Sequence, residues 1–307
     1  MAKRYLIEGQ FEEVPFDATV DPGEPSVDIV SSEEFSALNL GDADMKAALH
    51  DLVNAKNTYL DVYPQCLIGS FAIPNKNDLL SDPLLLAFYL EKTRLVFIDE
   101  DGAYGEKLER LVKQRSAKQP SVARCLFEFM QLLIKDDLGF LSKIEDHMED
   151  VEEQILDRGA KEANRKMLGF RRKLLRIDTY YQQLVDMAST IAANENHLLS
   201  HEETRLFTLF SRQADRLLKR SQTLKEYSFQ LRELYQTQID IKQNDTIQWF
   251  TVITTIFVPL TLITSWYGMN FEFMPELKMP WSYFIIMGIC AIIVIMELRF
   301  FKRKKWL

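Results

Sequence analysis

The stretch NDTIQWFTVITTIFVPLTLITSWYGMN, Asn244 to Asn270, decides how the chain is read. Between Ile247 and Trp266 it carries no charged side chain. At about 1.5 Å per residue, a helix of this length covers roughly 30 Å, the thickness of a bilayer core. Taking every third or fourth residue gives one polar stripe: Asn244, Ile247, Thr251, Thr254, Val258, Thr261 and Ser265. The opposite side reads Trp249, Val252, Ile253, Ile256, Phe257, Leu260 and Ile263. Two readings of the stripe stand side by side. The hydroxyls line a watery pore while the other side meets lipid, or they bond back to their own carbonyls and help helices pack.

Immediately after the stripe comes Tyr267-Gly268-Met269-Asn270, followed by Phe271-Glu272-Phe273-Met274-Pro275-Glu276-Leu277. A second apolar segment, Tyr283 to Leu298, runs into the basic end Phe301-Lys302-Arg303-Lys304-Lys305-Trp306-Leu307. A YGMN tetrapeptide between two terminal hydrophobic segments, with a short loop and a basic tail after it, resembles the CorA family of magnesium transporters. The motif match covers the last quarter of the chain, and the rest agrees in layout. The resemblance implies a homopentamer with one first membrane helix per subunit around the pore. It further implies gating by cytoplasmic Mg²⁺ held between carboxylates of the soluble domain and the stalk. At the comparable places this chain has Asn75 and Leu209, with Asp78, Asp82 and Asp215 several residues away.

The chemistry of Mg²⁺ suits these residue types. The ion releases water reluctantly, so a wide ring of neutral acceptors serves it better than a tight carboxylate cage. The Asn270 amide and the carbonyls of Gly268 and Met269 are such acceptors, and Gly268 permits a turn that other residues resist. Apolar rings at Ile247 and Val258, with Phe250, can close the path by dewetting. Glu272 and Glu276 in the outer loop would concentrate cations. One hydroxyl stripe cannot enclose a channel, so the chain must form an oligomer.

Charge is unevenly spread. The chain carries −8 and the tail after Leu298 carries +5, so the remainder carries −13. An acidic body excludes nucleic-acid partners, which need a basic face, and suits a protein that handles cations in a lipid bilayer. The basic tail beside a membrane helix reads as cytoplasmic. MAKRYLIEGQ lacks the apolar core of a signal peptide, so both termini are expected in the cytoplasm and the protein in the inner membrane as a multi-pass chain. Cys66, Cys125 and Cys290 have no paired spacing, which predicts neither disulfides nor zinc. His197 and His201 are four apart, a spacing for a helical metal pair, but ENHLLSHEE reads as a junction between helices.

From the start to about residue 118 the pattern predicts a mixed α/β domain. RYLIEG and CLIGSFAIP read as strands, and PLLLAFYLEKTRLVFIDED as two more joined at Glu91 to Arg94. Helices are expected at Asp42–Ala55 and Tyr104–Ala117. Pro120 suits a first helical position, and one helix is expected from Ser121 to about Leu156. Its acidic end, KIEDHMEDVEEQIL, is a solvated face or a reservoir for divalent cations. After Gly159 a helix from Lys161 to Ala193 begins basic and is expected to pair with that acidic neighbour. A third helix from His201 meets no stop signal before Pro259. Leu217, Leu224 and Leu231 repeat at seven, as do Tyr227, Leu234 and Ile241, which predicts packing against other long helices.

The expected fold is therefore an α+β cytoplasmic domain followed by long helices and two C-terminal transmembrane helices, mainly α overall. The expected boundaries are 1–118 for the α/β domain, 119–200 for a helical hairpin and 201–246 for a stalk. The first membrane helix takes 247–267, the outer loop 268–280, the second membrane helix 281–301 and the tail 302–307. The expected function is passage of Mg²⁺, with Co²⁺ and Ni²⁺, through a homo-oligomeric channel gated by internal Mg²⁺, with no enzymatic step. A zinc transporter of the same superfamily and a membrane-anchored coiled-coil scaffold are the alternatives.

Overall fold

The computed structural model describes residues 2–7, 11–16, 23–38, 40, 57–100, 102, 104–114, 121–158, 161–269, 274–304 and 306. Seven strands form one sheet: β1 Lys3–Ile7, β2 Phe11–Val14, β3 Ser26–Val30, β4 Tyr59–Val62, β5 Leu67–Ile73, β6 Leu84–Leu90 and β7 Arg94–Ile98. Their order is β2-β1-β3-β7-β6-β5-β4, antiparallel except where β3 runs parallel to β7. The helices are α1 Ser32–Ala37, α2 Gly105–Gln114, α3 Val122–Ile134, α4 Asp137–Arg158, α5 Lys161–Ala193, α6 His201–Tyr267 and α7 Ser282–Arg303. This is the α+β domain with long helices that the sequence predicts.

Every residue of β5 is buried, because helices cover both faces of the sheet. On one face Phe35 of α1 meets Tyr89, above Val30, Cys66, Ile68, Val96 and Ile98. On the other, Phe129 of α3 packs against Phe71 and Phe97 with ring centres 5.5 and 5.2 Å apart. Gly69 faces Phe88 across β5 and β6, and a Cβ there would lie 2.5 Å from the Phe88 ring. Burial pushes the Cys66 thiol up to about 11 and raises Cys125 further. Both stay protonated at neutral pH, and all three cysteines are free.

The two strands joined near Glu91 are present, closed by the Glu91 amide donating to the Arg94 carbonyl at 2.7 Å. Strands β2, β3 and β4 escape the sequence pattern because Glu12, Glu13, Asp28 and Asp61 interrupt short apolar runs. Asp28 is fully buried in β3. It accepts from Arg4 Nε at 2.8 Å and from Arg94 Nε at 2.9 Å, so strands on either side neutralise it. The helix expected at Asp42–Ala55 lies outside the described residues.

The single helix expected from Ser121 to Leu156 is instead two, α3 and α4, interrupted at Lys135 and Asp136. The interruption seats Asp137, only 1% exposed, whose carboxylate accepts from the Tyr181 hydroxyl at 2.9 Å and pairs with Lys76. Ser121 caps α3, its hydroxyl accepting from the Arg124 amide at 3.2 Å, and the helix begins at Val122. Helix α5 runs from Lys161 to Ala193 as read. At its end Asn194 and His197 adopt left-handed backbone angles, φ 50° and 54°, and the Asn194 side chain ties down Leu199 through two hydrogen bonds. His197 is thus a turn residue, and His201 opens the next helix, so the pair shares no helical face. The acidic run meets the basic start of α5 through Lys166 Nζ, which donates to Gln154 Oε1 at 2.8 Å, and has further partners. Glu145 pairs with Arg220, and Glu152 accepts from the Tyr227 hydroxyl, both on α6.

The chain divides into two compact units, Met1–Gln154 with Ala160–Arg232, and Ile155–Gly159 with Glu233–Leu307. Helix α6, 67 residues without interruption and with Pro259 inside it, begins in the first and ends in the second. Within the first unit its seam is satisfied: Phe207, Phe210, Leu217, Leu224 and Leu231 are all buried.

Candidate ion pathway

Two helices are long and apolar enough to cross a membrane, α6 and α7. The membrane part of α6 carries the stripe read from the sequence. Asn244, Ile247, Thr251, Thr254, Val258, Thr261 and Ser265 are all exposed. The opposite side divides in two. Val252 is 4% exposed, and Ile256, Leu260 and Ile263 are half-buried, whereas Trp249, Ile253 and Phe257 stand free. One half of the apolar side therefore packs on protein and the other half is left for lipid. On α7 the half-buried positions Ile286, Cys290, Ile293 and Glu297 follow one another at helical spacing, ending in buried Phe301. Its remaining surface, including Tyr283, Ile285, Ile292 and Met296, is exposed and apolar, as a lipid-facing helix requires.

The hydroxyls do bond back to the helix. Thr251, Thr254 and Thr261 donate to the carbonyls of Ile247, Phe250 and Phe257 at 2.7–2.8 Å. Thr255 and Thr264, off the stripe, do the same. Back-bonding therefore does not explain why hydroxyls gather on one side. It also uses only the proton. Each hydroxyl oxygen keeps acceptor capacity that points away from the helix. A surface of acceptors with their donors already engaged favours cations and the hydrogens of water over anions. Ile247, Phe250, Thr251, Thr254 and Thr255 bound a hollow of about 340 Å³ on this side. Among the described residues, all of its wall comes from one helix, so the hollow is open on its outer side.

Helix α6 ends at Tyr267. The Gly268 amide donates to the Thr264 carbonyl at 3.0 Å and the Met269 amide to the Trp266 carbonyl at 3.3 Å. The backbone at the glycine does not use the freedom expected of it. Its φ is not in the left-handed region, where the one described glycine is Gly102. A Cβ on Gly268 would instead lie 3.2 Å from the Thr264 carbonyl oxygen and 3.5 Å from that of Ser265. Asn270 and Glu272 lie outside the described residues. Glu276 is exposed on a 3₁₀ turn, Pro275–Lys278, whose carbonyl at Glu276 accepts from the Ser282 hydroxyl.

The places comparable to the regulatory carboxylates are occupied locally. Asn75 accepts from the Asn77 amide at 3.0 Å, Asp78 from the Leu80 amide at 3.1 Å, and Asp215 pairs with Lys219 at 2.7 Å. Leu209 is exposed and apolar. Among the described residues no three His, Cys, Asp or Glu side chains gather to hold a metal ion.

Comparison with known proteins agrees with this layout. The family described as CorA-like Mg²⁺ transporter protein matches residues 33–303. The cobalt/magnesium transport protein CorA of Thermotoga maritima is 29% identical over 182 residues, 59% of this chain and 52% of that protein, so the match spans about half that relative's length. The magnesium transport protein CorA of Wolinella succinogenes is 47% identical over 77 residues, 25% of this chain and 24% of that protein. The structure of the CorA magnesium transporter from Methanocaldococcus jannaschii superposes with a TM-score of 0.83 at 18% identity, covering 100% of this chain and 99% of that one, which shows the shared fold. The chain belongs to the CorA-like Mg²⁺ transporter family.

Proposed function

We propose that this chain is the subunit of a homo-oligomeric membrane channel that passes Mg²⁺, with Co²⁺ and Ni²⁺ as further cargo. The observation that carries the reading is the one-walled hollow beside Thr251 and Thr254, on a membrane helix that runs into Tyr267-Gly268-Met269-Asn270. In the assembly, five copies by family resemblance, the stripe of each copy faces the axis. Asn270 and the carbonyls of Gly268 and Met269 receive the hydrated ion at the mouth, while Glu272 and Glu276 draw cations toward it. Thr251, Thr254, Thr261 and Ser265 accept from the ion's waters, and Ile247 and Val258 form the apolar constriction. No bond is made or broken, so the protein is not an enzyme.

The protein resides in the inner membrane with both termini in the cytoplasm. Residues 1–118, 119–200 and 201–246 form the cytoplasmic domain, hairpin and stalk, with membrane helices at 247–267 and 281–301. Internal Mg²⁺ is the regulator. Since Asn75 and Leu209 replace carboxylates, its sites are formed by acids of adjoining copies. A ligand shifts such a gate only by its differential affinity for closed and open arrangements. The test is flux into liposomes bearing the purified protein, with Mg²⁺, Co²⁺ and Zn²⁺ in turn. Passive Mg²⁺ and Co²⁺ entry that falls as internal Mg²⁺ rises is expected. Zn²⁺ entry driven by a proton gradient, without Mg²⁺ entry, would assign the chain to zinc transport instead.

A further inference from the structure

An acidic chain is not expected to gather cations around a concavity, yet among the described residues it does so here. In the first unit, α2, α3, α4 and α6 enclose a cleft of about 660 Å³. Lys107 and Arg110 line it from α2, Lys135 from the link between α3 and α4, and Arg216 from α6. Glu128 is the one carboxylate in the lining, and its charge is met by Arg124 at 3.5 Å. The four cations are exposed and weakly engaged. Arg110 makes a loose pair with Glu106 at 3.8 Å, and the Lys107 ammonium rides 4.9 Å over the Tyr104 ring. Lys135 and Arg216 have no carboxylate partner among the described residues. Four like charges facing one space repel one another, and an anion relieves that repulsion.

The cleft has a second character. Leu132 and Leu138 are exposed within it and Leu217 forms part of its wall, so an apolar surface lies beside the cations. Gln131 and Gln213, joined by a 3.4 Å hydrogen bond from one amide to the other, add acceptors and donors. Two guanidinium forks, two ammonium groups, an amide pair and an apolar wall make a set for a ligand with a chain of phosphates and a flat, partly apolar body. The volume falls within the range of small-ligand sites. An acidic face of a neighbouring copy is a poorer fit. In the acidic run of α4, Glu145 and Glu152 are already held by Arg220 and Tyr227 of their own chain.

We propose that this cleft binds a nucleoside polyphosphate, the phosphates on Lys107, Arg110, Lys135 and Arg216 and the base against Leu132 and Leu138. The metal-free ligand is preferred. It carries roughly twice the charge of its Mg²⁺ complex, and the attraction of the four cations scales with that charge.

The test is binding of a fluorescent ATP analogue to the full-length protein in detergent, with unlabelled ATP and inorganic triphosphate as competitors. Saturable binding is expected, displaced by ATP at lower concentration than by inorganic triphosphate, and weakened severalfold when Mg²⁺ is added in excess. The double variant Lys135→Glu with Arg216→Glu should lose about tenfold or more in affinity, since two charge-assisted contacts become repulsions. Arg232→Glu, exposed and outside the cleft, controls for net charge and should bind as the unaltered protein does. Because the paired side chains are exposed, circular dichroism melting should be unchanged. No saturable binding, or equal affinity in the double variant and the control, overturns the proposal. Equal displacement by inorganic triphosphate removes the nucleoside from it. A double variant that changes the oligomer's mass by light scattering and leaves nucleotide binding intact reassigns the cleft to a contact between copies.

Discussion

The two stretches of α6 differ in what satisfies them. From His201 to Arg232 its apolar seam is covered by the chain's own helices, and Leu224 and Leu231 are each 1% exposed. From Glu233 to Tyr267 the same helix continues with the same periodicity, but Ile239, Ile241, Ile247, Phe250 and Val258 are all exposed. Apolar surface on this scale is not left to water. The first stretch is complete within one copy. The second is half of an interface, and its missing partners are lipid and further copies of this chain. Substitutions in the first stretch should therefore be read out in folding, and those in the second in assembly and ion flow.

The sharpest way to break that contrast is at the far end of the second stretch. Gly268→Ala places a methyl group 3.2 Å from the Thr264 carbonyl, and Asn270→Ala removes the amide. Each should abolish Mg²⁺ uptake in liposomes. Oligomer mass and melting temperature should be unchanged. Near-normal uptake by both variants would take the ion site away from this loop.

The next effect separates folding from assembly directly. Leu224→Ala should cost about 3 kcal/mol in denaturant unfolding, because a fully buried leucine leaves a cavity. Ile241→Ala, 47% exposed in one chain, should leave the transition of the first unit within about 0.5 kcal/mol and weaken the oligomer instead. If Ile241→Ala lowers the unfolding midpoint as much as Leu224→Ala, the two stretches do not differ in the way their burial suggests.

The legible part of this molecule was its helices. The chain from His201 to Gln248 holds neither Gly nor Pro, and its seven-residue repeat and the uncharged run after Ile247 leave only one reading. The polar stripe was also legible, since it needs only helical spacing. What escaped depends on contacts distant in sequence. Asp28 in β3 makes no sense as a strand residue until Arg4 and Arg94 are seen on either side. The helix break at Lys135 follows from Asp137 reaching Tyr181, 44 residues on. Gly268 was recognisable as special from its place after Tyr267, but its φ is not left-handed, so the backbone freedom that marked it is not what the fold uses. The four cations of the cleft, spread from Lys107 to Arg216, have no local pattern at all.

A smaller effect concerns the constriction. Ile247→Gly removes an apolar side chain from the hollow lined by Phe250 and Thr254. Dewetting depends on such surface, so the closed channel should leak, with Mg²⁺ flux at high internal Mg²⁺ raised severalfold. The measurement is uptake against internal Mg²⁺ for both proteins. An unchanged leak moves the gate along the stripe to Val258.

The finest distinction lies between hydroxyls that all make the same backbone bond. Thr251 and Thr254 lie on the stripe, and Thr264 does not, yet each donates to a carbonyl one turn back. If the hydroxyls serve helix packing alone, replacing any of them with valine should have the same effect, since shape is kept and one back-bond is lost. If the stripe faces the pore, only Thr251→Val and Thr254→Val remove an acceptor from the ion's waters. We expect those two to lower Mg²⁺ flux by about two- to fivefold each, the worth of one hydrogen bond to a mobile hydrated ion, about 0.5–1 kcal/mol. Thr264→Val should leave flux unchanged. The three variants are compared in one liposome preparation at equal protein density. Equal flux in all three would return the stripe to helix packing. A loss confined to Thr264→Val would turn the helix by about a third of a revolution relative to the axis proposed for it.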